Sequence, residues 1–229
     1  MKRLVLTGVA ILALALGAFA QGVINLDNST TPYGVTVENA AGNGSAYYSG
    51  TFGMEVWELG GRTSVPAGIN NYDAAPFSAS CLLAYQDMVA AGFKWEATYA
   101  KQVMVDGTFS LGNLTMSDVT PPGSQVVLAL AVWNNSAQSW RAATHDALFL
   151  GGVVAFLTPT VPPAAPGLPP PIGADINAGW TAVGTDLVME DIEAAIPEPG
   201  SLALAGLGAA ILWTFPRWRK CRSRVNICC

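Results

Sequence analysis

Histidine and cysteine are almost missing from this chain: of 229 residues one is His and four are Cys, and three of those cysteines, Cys221, Cys228 and Cys229, stand in the last nine positions. Between residues 21 and 196 only Cys81 and His145 remain. No disulfide can close inside that stretch, and a zinc site of the Cys/His type lacks ligands there. The Cys81–His145 combination is formally a nucleophile and a base, but it reads as a buried structural thiol beside an unrelated imidazole. Also missing are a Gly-x-Ser-x-Gly elbow, a Gly-x-x-x-x-Gly-Lys-Ser/Thr phosphate loop and a dinucleotide fingerprint. No cofactor or metal is expected.

Positive charge is scarce in the same stretch. Arg62, Lys94, Lys101 and Arg141 face fifteen acids, a formal charge of −11, whereas Lys2 and Arg3 precede it and five cations follow it. A body so acidic repels phosphate backbones, which excludes nucleic acid as its partner.

What the chain does have lies at its two ends. Lys2 and Arg3 lead into an apolar run from Leu4 to Leu16, followed by Ala18-Phe19-Ala20 and Gln21. A basic start, a short apolar segment and small residues flanking one other are the marks of a secretory signal peptide over residues 1–20, with cleavage at Ala18, Ala20 and Gln21. At the other end, Pro197-Glu198-Pro199 precedes an uncharged apolar run over residues 201–215. Arg217, Arg219, Lys220, Arg222 and Arg224 then follow. Fifteen helical residues rise only about 22 Å, so the span is short for a bilayer of about 30 Å. Long cationic side chains reaching the interface lengthen it, and Trp213 and Trp218 stand where an interfacial aromatic belt would lie. The basic cluster orients the helix with residues 225–229 in the cytoplasm and the body outside.

This ordered tail resembles the PEP-CTERM sorting signal of exported bacterial proteins, over residues 197–224. The resemblance implies recognition by a membrane-embedded, transpeptidase-like exosortase that removes the helix near Pro197, Glu198 and Pro199. It implies anchoring in the inner membrane until processing, then release to the cell surface or beyond. It also implies an exopolysaccharide or biofilm setting, with exopolysaccharide as a candidate partner. The two prolines hold the motif extended, a form in which a processing enzyme can grip it.

The body, residues 21–189, is expected to be mainly β: a β-sandwich of jelly-roll or Ig-like type, joined through an acidic linker at 190–196 to the single C-terminal transmembrane helix. Val23–Leu26, Gly34–Glu38 and Ala46–Leu59 read as strands, the last with a break in register at Trp57, as at a bulge. Asn25, Asp27 and Asn28 form a polar turn and lack the spacing of a calcium loop. Cys81–Ala91 reads as the one helix of the body, capped by Ser80, stopped by Gly92, with Leu82, Tyr85 and Val89 as its inner face. Phe93, Trp95, Ala97 and Tyr99 alternate with polar residues, Asp106-Gly107 signals a hairpin, and Gln125–Trp133 is apolar on both faces. Trp140–Ala143, Ala147–Leu150, then Val153–Leu157 after Gly151-Gly152, and Trp180–Met189 complete the strands, with a proline-rich crossover over residues 158–173.

The expected function is that of a non-enzymatic surface or extracellular-matrix protein. A carbohydrate-binding module is the alternative, and a polysaccharide hydrolase, which needs only two well-placed carboxylates, comes third. Among the tryptophans Trp95 and Trp133 read as core, and Trp140, between Ser139 and Arg141, reads as the exposed glycan contact.

Overall fold

In the computed structural model the described residues are 21–38, 45–70, 77–117, 119, 121, 123–145, 149–165 and 167–191. All belong to the first of two units into which the chain divides, Met1–Glu193. Ala18 and Ala20 of the cleavage site, the Pro197-Glu198-Pro199 motif, the 201–215 helix and the cations from Arg217 to Arg224 lie outside the described residues. Among the described residues no helix is long and apolar enough to cross a membrane.

The described part is mainly β, arranged in two sheets. Ten strands run in order: β1 (Gly22–Asp27), β2 (Val35–Glu38), β3 (Ser45–Tyr47), β4 (Gly50–Leu59), β5 (Lys94–Met104), β6 (Ser110–Met116), β7 (Val126–Asn134), β8 (Leu150–Thr158), β9 (Ala174–Asp175) and β10 (Leu187–Asp191). Three helices interrupt them: α1 (Phe77–Ala90), α2 (Trp140–Ala143) and α3 (Asn177–Val183). The larger sheet has the order β3-β2-β10-β8-β7-β4-β5, and the smaller β6-β1-β9.

β7 is the axis of the larger sheet because its sequence, VVLALAVWN, offers apolar side chains to both faces. Val126, Leu128, Leu130 and Val132 enter a core shared with Ile24, Leu26 and Met116 of the smaller sheet. Val127, Ala129, Ala131 and Trp133 enter a second core with Ala84 and Met88 of α1 and Trp140 of α2. The small alanines on that second face let the helices lie close to the sheet. α3 closes the first core instead, its Trp180 stacked on Phe156 at 5.9 Å between ring centres.

Glycines inside β8 mark close approach. A methyl on Gly152 would strike the Val188 carbonyl of β10, and one on Gly151 would reach the rings of Phe149 and Trp140. Hence Leu150–Thr158 is one uninterrupted strand, where the Gly151-Gly152 pair suggested a break. Beyond the short β8–β10 pairing, Asn70 takes over as a substitute strand: its amide nitrogen donates to the Ala155 carbonyl and its oxygen accepts the Ala155 N–H at 2.8 Å.

Several expectations need correction. α1 begins earlier than expected, at Phe77, and its buried residues are Ala84 and Met88, while Val89 is exposed. Its end follows the expected signal: Gly92 has φ 89°, its N–H bonds the Val89 carbonyl and Phe93 N–H bonds that of Met88, a Schellman closure. It is also not the only helix. Trp140–Ala143 is helical because Ser139 accepts the Ala142 N–H as an N-cap. Trp180 lies in α3, so the final strand is shorter, Leu187–Asp191. Thr36 of β2, though polar, is buried.

Asp106-Gly107 does form the tight turn, both residues with positive φ, 49° and 72°. Yet the strands on either side join different sheets, β5 pairing with β4 and β6 with β1. Asn28 secures this change of sheet. It is fully buried, donates to the Gly107 carbonyl at 3.0 Å and accepts the Phe109 N–H at 2.7 Å. The chain from β8 to β9, through residues 159–173, touches β1 by the Val23–Val161 pair and holds Asn113 through Pro171 and Gly173.

Candidate functional site

The most developed cluster of polar and aromatic side chains stands where β4 and the edge strand β5 meet the helical layer. β4 runs opposite β7 without interruption from Phe52 to Leu59, but its register against β5 shifts twice. The extra residues are in β5. Between the pairs Val56–Ala97 and Trp57–Trp95 stands Glu96, and in the second irregularity Lys101 adopts φ 58°. Such bulges bend an edge strand and spoil it as a template for another chain. The first one sets Trp95 opposite Trp57, so that both leave the sheet on the helical face, while Ala97 and Tyr99 pack into the other core.

Trp95 is therefore 55% exposed, a correction to its reading as core. Its indole N–H donates to Thr98 Oγ1 at 2.9 Å. Trp57, half-buried, donates its indole N–H to Glu55 Oε2 at 3.2 Å. Glu55 itself is buried and holds three donors: Oε2 also accepts the Tyr85 hydroxyl at 3.2 Å, and Oε1 accepts the Trp140 backbone N–H at 3.0 Å. One carboxylate thus joins β4, α1 and α2. Burial, followed by the charge of Glu55 and the hydrogen bond to it, holds the Tyr85 hydroxyl far above the ordinary tyrosine range.

The rings continue inward from there. Trp57 meets Tyr85 edge-on at 6.0 Å, Tyr85 stacks on Trp140 at 4.6 Å, and Trp140 meets Phe149 at 5.3 Å and Trp133 at 6.4 Å, both edge-on. Trp140 is only 2% exposed. It cannot be the glycan contact expected of it, because Tyr85, Trp133 and Phe149 already surround its ring. A single turn of helix pointing Trp140 into the sheet was not apparent from Ser139-Trp140-Arg141. The signal that could have flagged this place is Glu55-Val56-Trp57, an acid and a tryptophan two residues apart and so on one face of the strand.

The remaining candidates separate in space. Glu58 and Glu96 both approach the Ser117 hydroxyl, at 3.3 and 2.5 Å, and Glu96 also accepts the Ser117 N–H at 3.1 Å. One hydroxyl proton serves only one of them at a time. Glu58 is 0% exposed, so this pair cannot flank a sugar chain as a hydrolase requires. His145 is exposed, and the Cys81 side chain lies outside the described residues. Asp27 accepts from Ser29 N at 2.8 Å and Ser110 Oγ at 2.9 Å, and hydrogen bonds, led by those from Ser29, lower its pKa. Those bonds describe a polar turn. Among the described residues no group of three or more His, Cys, Asp and Glu side chains converges as a metal ion would need.

A groove of about 370 Å³ lies elsewhere, between β1, β6 and the proline-rich segment, lined by Gln21, Val23, Asn113, Thr115, Leu168 and Pro171 among others.

Compared with protein-family models, with curated proteins and with solved structures, the chain has no match.

Proposed function

We propose that this chain is a non-enzymatic exported protein of the cell surface or extracellular matrix, delivered by an N-terminal signal peptide and sorted through its C-terminal tail. The observation that carries the reading is the order of that tail: Pro197-Glu198-Pro199, an uncharged apolar run over residues 201–215, then five cations with no acid among them. An exosortase-type enzyme is the processing partner, and the inner membrane holds the protein until cleavage. The body, as a β-sandwich, has to persist outside on packing alone, and the core shared by the two sheets supports that. Its acidity favours solubility and keeps it off anionic lipid.

A second reading, a carbohydrate-binding module, is favoured by one particular arrangement: Trp95 exposed beside half-buried Trp57 on one face of β4 and β5.

Cell fractionation with intact mass measurement of the native protein, with and without Pro197→Ala, tests the leading reading. The wild-type chain should begin at Gln21 and end near residues 197–199, and the variant should keep its tail. A mass beginning at Met1 defeats export. Equal C-terminal masses in the two proteins defeat processing at this motif.

A further inference from the structure

We infer that Trp95 and Trp57 together form a binding shelf for a neutral polysaccharide, the carbohydrate rings of its chain lying against the two indoles. This deepens the carbohydrate-binding reading and rests on it, and it is independent of how the tail is processed.

Of the five tryptophans described, three are almost wholly enclosed: Trp133 and Trp180 are 0% exposed and Trp140 2%, against 55% for Trp95. The exposed ring is not loose. Thr98 Oγ1 takes its N–H at 2.9 Å, just as Glu55 takes that of Trp57 at 3.2 Å. With both donors engaged inside the sheet, what each indole presents outward is carbon. A ligand there is recognised through C–H surface, and pyranose rings carry such surface on their flat faces while their hydroxyls point outward to water.

Geometry sets the shape of the ligand. Trp95 and Trp57 are directly opposed in the ladder, so their side chains rise from neighbouring strands about 4.8 Å apart. β5 is the outer strand of the sheet, and Tyr85 stands edge-on to Trp57 at the inner end. The shelf is therefore open on its outer side and runs across the strands, which suits a stretch of a long chain better than a small enclosed ligand. The anchoring of Glu55 to α1 and α2 keeps Trp57 from turning when a ligand arrives, so little ordering is left to be done on binding.

Charge selects the class. The stretch from Gln21 to Ile196 carries fifteen acids and four bases. Lys94, the base next to Trp95, is paired with Glu58 across the ladder and so lies on the opposite face of the sheet. Arg141 stands on α2 in the helical layer over the same face, but the large excess of acids repels an anionic polysaccharide, so the ligand is a neutral one.

The test is affinity electrophoresis of the full chain in a detergent without a sugar headgroup, through gels holding a neutral glucan, a neutral mannan, chitin fragments or alginate. At least one neutral polymer should retard the protein and alginate should not. Trp95→Ala should weaken the retardation about tenfold or more, equivalent to about 1.4 kcal/mol. Trp95→Phe should retain part of it. Thermal unfolding of both variants should match the wild type, since more than half of the Trp95 surface is already in water. Three results overturn the inference: no retardation by any neutral polymer, equal retardation by alginate, or retardation that Trp95→Ala leaves intact. Self-association of the protein that depends on Trp95 without polysaccharide also overturns it, since the shelf would then serve a second copy.

Discussion

Glu55→Ala removes the acceptor that ties three elements together. In the folded protein its two oxygens hold the Trp140 N–H at 3.0 Å, the Tyr85 hydroxyl at 3.2 Å and the Trp57 indole N–H at 3.2 Å. The Trp140 N–H belongs to the first turn of α2 and its bond to Glu55 is buried, so leaving it without an acceptor costs about 1–3 kcal/mol. Trp57 and Tyr85 are half-buried and can partly rehydrate, so each adds about 0.5–1.5 kcal/mol. Removing a buried charge gives some of this back. The expected net loss is about 3 kcal/mol, which for a domain of this size lowers Tm by roughly 10 °C. Glu55→Gln sharpens the test because it keeps the shape. Its amide oxygen can serve either side of the hub but not both, and one N–H then faces an NH2 group, for a loss of about 1–2 kcal/mol. Urea unfolding followed by near-UV circular dichroism reads both variants, and Glu55→Ala should also bring the Tyr85 ionisation to lower pH in an absorbance titration. A Glu55→Ala protein within about 0.5 kcal/mol of wild type, the usual range of an inert surface change, would refute the hub as a source of stability.

The raised ionisation of Tyr85, caused first by burial, has a consequence for alkaline stability. Below the ordinary tyrosine value of 10.0 the hydroxyl is neutral whether the chain is folded or not; above it the unfolded chain ionises first, so stability falls as pH rises, and Tyr85→Phe should soften that fall. Tyr48 and Tyr99, also raised by burial, contribute in the same direction, so the softening should be partial. Gly152→Ala should cost about 3 kcal/mol or more in chemical denaturation, because the added methyl meets the Val188 carbonyl, which cannot move without breaking the β8–β10 pairing. Asn28→Ala leaves the Gly107 carbonyl and Phe109 N–H without their partner and should cost about 2–4 kcal/mol, with hydrogen exchange at Phe109 accelerated first.

Read alone, the sequence located most strands because their signals are local. The two-faced apolar run of β7, the positive-φ pair Asp106-Gly107 and the stop at Gly92 each depend on a few neighbouring residues, whereas the bulge expected in β4 at Trp57 lies in its partner β5, at Glu96. The charge segregation between body and ends is equally a property of the chain. Burial was another matter. Trp95 follows the alternation of Phe93, Ala97 and Tyr99, but the extra residue Glu96 turns it to the opposite face from Ala97, and the place of β5 at the edge of the sheet leaves it uncovered. Trp140 sits between polar neighbours, yet a hydrogen bond from its backbone to Glu55, eighty-five residues earlier, draws it into the core. Whether β6 continues the hairpin or crosses to β1 is likewise decided by a distant side chain, Asn28. Periodicity and turn chemistry settle what a segment forms. Only the pairing of segments far apart in the chain settles which faces remain open to water, and the candidate binding surface of this protein is one of those faces.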